Sequence, residues 1–198
     1  AYFLKYSNAL QVIRAVDTSA FNAGSADSAG AADFIRNADH RDGLTGLNTW
    51  AAKYPGTLGN SLKYVKINST GWAGANASHK AEFDAAPSVG EVHVLVLDED
   101  GVITGTANTV LERFPFLSTT SSAQNADGSS NFAPNVINAQ SSWLWYNAAA
   151  FTDSTGTASM AFGTDGSVVV ADYQTAYNQI EDKDTIEVDF LIAAGMAN

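Results

Sequence analysis

The chain contains no cysteine, which excludes disulfides, thiol catalysis and cysteine-ligated metal sites. Positive charge is scarce as well. Ten lysines and arginines stand against 21 aspartates and glutamates, for a formal net charge of -11. A duplex nucleic-acid binder needs a basic footprint, so this balance argues against nucleic acid as a partner. No apolar run reaches the roughly 18 residues of a membrane span, and no membrane binding is expected. No basic stretch precedes a short apolar one, so no signal peptide is expected within these residues.

Recognisable catalytic motifs are absent too. Neither GxxxxGK[ST] nor GxGxxG occurs, which leaves a nucleotide cofactor without support. GxSxG and HExxH are missing. His40, His79 and His93 are scattered, and His93 lies inside an apolar run, where a hydrogen-bonded core histidine is expected. The acidic run at 98–100 invites a calcium reading, but Val96 would stand at the first ligand position of an EF-hand loop ending on Gly101. A solvated hairpin turn is the simpler reading, as it is for Asp127-Gly128 and Asp165-Gly166. Asn68 and Asn76 open glycosylation triplets, which arise often by chance. No enzyme activity, cofactor or metal is expected.

What is present describes a folded domain. Hydrophobic residues make up 45% of the 198 and charged ones 16%, a globular composition. Residues 91–97 form a nearly continuous apolar run, as in a strand covered on both faces. A turn at 98–101 should return the chain through 101–106 as a hairpin. Strands are also expected at 10–17, 61–68 and 141–147, the last with Trp143 and Trp145 on one face. Tyr2, Phe3 and Tyr6 suit a short opening helix, and 131–139 suits another. Tyr173, Ala176, Tyr177 and Ile180 recur at helical spacing behind Asp172, the expected N-cap. Residues 186–192 alternate like a half-buried strand, expected beside 91–97. Residues 148–167 read as loop. The fold class is α/β (α+β), a mixed β-sheet flanked by helices.

Three regions are expected: 1–17 as a truncated start of the core domain, 18–47 as a loop-rich connection or insertion site with one weak helix around 31–37, and 48–198 as the core domain. A connection that long is unusual inside a compact domain. The chain opens on Ala1 rather than methionine, as expected of a piece of a longer polypeptide.

Four segments, in order, carry a resemblance. YPGTLGNSLKY supplies Pro55, Gly56, Gly59 and Asn60 ahead of a strand. Gly105, Thr106, Val110, Leu111, Glu112, Phe114, Leu117 and Ser118 fit a G-T-x-x-x-V-L-E-x-F-x-x-L-S pattern behind an acidic turn. Gly128, Ser130 and Asn131 lead into a helix and then Trp143, and a helix–strand pair closes the order. Together they resemble the tail sheath proteins of contractile-tailed bacteriophages, from about Leu10 onward and most weakly over 18–47. The resemblance implies a middle fragment of a structural subunit, located in the virion and in the host cytoplasm during assembly. Its partners would be other sheath subunits in a six-fold helix, with tail tube and baseplate contacted through regions absent here. Glycines 56 and 59 would then be architectural, turning the chain into a strand through conformations with positive φ. The rival reading is an acidic extracellular glycoside hydrolase or carbohydrate-binding module. It rests on the excess of carboxylates and on Trp72 and Trp143 as exposed aromatics.

Overall fold

A computed structural model describes residues 13–25 and 33–181. The chain divides into two compact units: residues 18–165, and the segments on either side of them. The larger unit is an α+β fold built on a seven-stranded sheet. Its strands are β1 (Asn22–Ser25), β2 (Trp50–Pro55), β3 (Leu62–Asn68), β4 (Glu91–Asp98), β5 (Thr109–Ser118), β6 (Leu144–Tyr146) and β7 (Gly156–Ala161). Every strand pair is antiparallel, in the order β5-β4-β3-β7-β1-β2-β6. Three short helices accompany it: α1 (Ala38–Asp42), α2 (Ala77–Ala81) and α3 (Ala133–Gln140).

The continuous apolar run of β4 follows from burial on both faces. Side chains alternate along a strand, so Val92, Val94 and Val96 enter the main core. Leu95 and Leu97 face a second cluster with Val65, Ile67 and Phe83. The main core lies between the sheet and α3, which contributes Ala133, Val136 and Ile137. Its aromatic centre is Trp50, stacked on Tyr64 at 4.4 Å and edge-on to Tyr146 at 4.9 Å.

Several expectations are corrected. Residues 13–17 are not a strand, and residues 10–12 lie outside the described set. The stretch read as connection, 18–47, supplies β1, a strand paired on both edges. Its helix is Ala38–Asp42 rather than 31–37, because Asn37 caps it by accepting from the His40 N–H. β7 lies within the presumed loop 148–167. The return strand of the hairpin begins at Thr109, because residues 99–108 are held as a packed turn. Trp143 and Trp145 do not share a face: Trp143 precedes β6 and packs on the main core, whereas Trp145 joins Ile35 and Ala51. The expected neighbour at 186–192 and the opening helix lie outside the described residues, and both edges of β4 are occupied by β3 and β5.

The second unit contributes α4 (Val170–Tyr177), continued by a 3-10 turn at Asn178–Ile180. Tyr173, Ala176, Tyr177 and Ile180 are its half-buried apolar positions, as their spacing requires. Asp172 is not the N-cap. It stands one turn in, and its carboxylate reaches back to the Val169 N–H at 2.8 Å.

Candidate functional site

The sheet is two ladders joined through β7. The first half of β7 pairs with β3 at residues 156–159, and its end pairs with β1 through Met160 and Ala161. The segment between β2 and β3 must therefore pass the ends of β1 and β7, and it does so as a 3-10 turn, Thr57–Ser61. Gly56 enters the turn at φ 132°, a region that glycine alone adopts without strain. Gly59 has a different role from the one expected, since it is not among the positive-φ residues. A β-carbon there would lie 2.9 Å from those of both Ala23 and Ala52. It serves close approach.

Asn60 fastens the crossing. Its Nδ2 donates to the Gly163 carbonyl at 3.0 Å, and its Oδ1 accepts from the Gly163 N–H at 2.7 Å. Gly163 has no room for a side chain, because a β-carbon would sit 2.4 Å from the Gly56 carbonyl oxygen. Thr57 adds two bonds to the Asp165 carboxylate, and the Phe21 carbonyl accepts from both Gly56 and Thr164.

The next residue ties this crossing to the second motif segment. Ser61 Oγ donates to Asp98 Oδ1 at 2.6 Å, and Asp98 is fully buried. Its Oδ2 accepts from the Ile103 N–H, the Thr104 N–H and the Thr104 hydroxyl. Burial alone would raise this carboxyl, but the hydrogen bonds from Ser61 and from the 103–104 segment prevail and hold it below its ordinary value. The acidic run is thus a turn organised around an inward carboxylate. Gly101 and Gly105 take positive φ within it, and the Thr106 carbonyl accepts from the Thr109 hydroxyl. Among the described residues no group of three His, Asp or Glu side chains is placed to hold a metal.

The second segment in turn meets the third. Glu112 on β5 accepts from the Ser141 hydroxyl and from the Ser142 N–H at 2.6 Å, holding the end of α3. Val110 and Leu111 pack on opposite cores, and Phe114 and Leu117 are buried in the main one. The Ser118 N–H donates to the Asn131 carbonyl, and Asn131 Nδ2 donates to the Phe116 carbonyl. Ser130 Oγ accepts from the Phe132 N–H, and Gly128 turns at φ 83°. Pro55 closes β2 and is buried. The first three motif segments therefore form one connected hydrogen-bonded framework.

His93 is not one of the matched motif positions but shapes the edge of the sheet. On β5, Pro115 and Phe116 oppose it as a bulge, with Phe116 at φ 51°. The Phe116 N–H donates to Nδ1 at 3.0 Å, so Nε2 carries the proton and donates to the Ala85 carbonyl at 2.8 Å. Phe83 stacks on the ring at 4.1 Å. Burial lowers the imidazole's affinity for a second proton, outweighing the opposing effects of the Ala85 carbonyl and Glu91.

The tryptophans behind the rival reading are both half-buried, Trp72 against the Val65–Ile67 cluster and Trp143 against the main core. Asn68 is buried and its amide donates to Asp153, whereas Asn76 caps α2. Sequence reading singled out Asn60 and Asn131 but not their clasping role, because such an asparagine looks like any loop asparagine until its partner is known.

No family model matches the chain. A stretch of 62 residues, 31% of the chain, is 40% identical to the tail sheath protein of Salmonella phage ViI. The chain is similar to part of a tail sheath protein. The match spans a tenth of that protein's length. Among the described residues no helix is long and apolar enough to cross a membrane.

Proposed function

We propose that this chain is part of a contractile tail sheath subunit, a structural and non-enzymatic component of a phage tail. The 62-residue similarity to a tail sheath protein carries the reading. The connected framework of turns and clasps is consistent with it, since the residues that suggested the resemblance serve architecture. Subunits of this kind would assemble as a six-fold helix around an inner tube. Their rearrangement to a shorter, wider helix would drive the tube through the host envelope. Subunits would move as rigid bodies, and head-to-tail contacts would generate the open helix. Residues 1–17 would be a truncated start of the sheath core domain, 18–47 a connection or insertion site and 48–198 the core domain itself, and the subunit would reside in the virion.

Electron microscopy of the protein expressed from its complete gene tests this. Striated tubes with six-fold symmetry are the expected result, and a stable monomer under all assembly conditions would contradict it. Calorimetry with ATP, Mg²⁺, Ca²⁺ and Zn²⁺ should show nothing tighter than about millimolar. A micromolar site would point to an activity instead.

A further inference from the structure

We propose that His93 is a proton-operated latch on the end strand of the sheet. When its ring takes a second proton, the β5 bulge at Pro115 and Phe116 lets go of β4 while the rest of the sheet holds. This inference does not depend on the sheath reading.

The geometry leaves that proton no acceptor. His93 is fully buried, and both of its nitrogens face backbone groups of fixed sense. Nε2 donates to the Ala85 carbonyl, but Nδ1 faces the Phe116 N–H at 3.0 Å, a group that can only donate. A second N–H on the ring would set two donors against each other. The ring has little room to turn aside, because Phe83 stacks on it at 4.1 Å and Phe116 and Trp72 meet it edge-on at 4.7 and 5.6 Å. Charge on the ring strengthens its bond to Ala85, so Phe116 is the partner that moves.

Phe116 is held in a conformation it would otherwise leave. Its φ of 51° lies in the left-handed region, which a bulky side chain keeps only where its surroundings enforce it. Two polar contacts do so: His93 Nδ1 on its N–H and Asn131 Nδ2 on its carbonyl. Pro115 beside it brings no N–H to the ladder, and β5 ends the strand order, so no further strand of the sheet backs the bulge.

Nearby charge does not replace the missing acceptor. Glu82, on the segment before β4, is committed to Arg113 of β5 at 2.6 Å, and Lys63 of β3 to Glu99 at 2.7 Å. Asp84 is exposed, and His79 and Lys80 of α2 would only repel a charged ring. Glu91 on β4 favours the charged form, and burial outweighs it.

The test is an NMR titration of the whole chain from about pH 7.5 to about 5, following the His93 ring, the Phe116 amide and the Asn131 side-chain amide. Val65 in β3 is the internal reference. As the ring protonates, hydrogen-exchange protection of the Phe116 amide should fall at least about tenfold relative to Val65, with the midpoint of the ring itself. The Asn131 side-chain amide should shift with the same midpoint. His93→Gln, checked for folding by circular dichroism, should abolish the pH response of Phe116. The native titration needs no variant, so it decides the claim even if His93→Gln misfolds. A Phe116 amide unchanged while the ring titrates would overturn the proposal. So would loss of protection at Phe116 and Val65 together, or a ring that stays neutral until the whole chain unfolds.

Discussion

Asn60 and Gly163, 103 residues apart, are joined by two hydrogen bonds through which one side chain takes the place of a neighbouring strand. Removing that side chain leaves both backbone groups of Gly163 without their partner. Asn60→Ala should therefore lower stability by about 1–3 kcal/mol, measured by urea unfolding. A loss below about 0.5 kcal/mol would mean that water replaces the clasp.

Gly59 separates crowding from conformational freedom. Gly59→Ala places a methyl against Ala23 and Ala52, and a cost of about 1–3 kcal/mol is expected. Gly156→Ala on β7 meets nothing within 4 Å and should be neutral or stabilising by up to about 1 kcal/mol. Parallel thermal melts of the two variants check the contrast.

Asp98 accepts only donors, so an amide at this position would set its own N–H groups against some of them. Asp98→Asn should cost on the order of 2–3 kcal/mol near neutral pH. The native carboxyl titrates below its ordinary value, so its contribution is present above the unfolded value of about 3.9 and is lost as pH falls through the native one. Unfolding free energies measured between neutral and acid pH should converge for the two proteins as acidity increases.

His93 gives a second pH dependence at higher pH. The native state holds the ring neutral, so the unfolded chain binds more protons below about pH 6.5. Stability should fall as pH drops from there toward the lowered native value. Protonation would also put an N–H on Nδ1, facing the Phe116 N–H that it now accepts from. Urea titrations across this range should show a shallower slope in His93→Gln, and NMR titration of the His93 ring should give a native pKa below 6.5. An unchanged slope would remove His93 from the account.

β3, β4 and β6 were legible in the sequence, whereas β2 and β5 were not, although both carry large side chains. In β4, valine and leucine alternate between two cores, and the resulting run stands out from the sequence alone. β1 and β7 were not legible. β1 consists of asparagine, alanine, glycine and serine, all buried, and lies in a part of the sheet too tight for more. Its room is limited by Gly59 on one side and by Asn48, whose amide would clash with any side chain on Gly24. Hydrophobic patterning cannot reveal a strand whose burial selects for small size. The Pro-Gly and Gly-Asn pairs were recognisable as a turn, but only Gly56 needs positive φ, and the role of Asn60 required knowing where residue 163 returns.

The division of β7 between two neighbours also has a mechanical side. Its ladder with β1 has two register positions and its ladder with β3 has four, while β3 and β4 share seven. Tension that draws β1, β2 and β6 together away from β3, β4 and β5 therefore falls more heavily on the β1–β7 ladder, the shorter of the two that hold β7. The two Phe21–Thr164 backbone bonds cross that seam at its end, like stitches across the start of a tear. A load would have to break them before the ladder could unzip, so a few polar groups set the force at which this sheet begins to open.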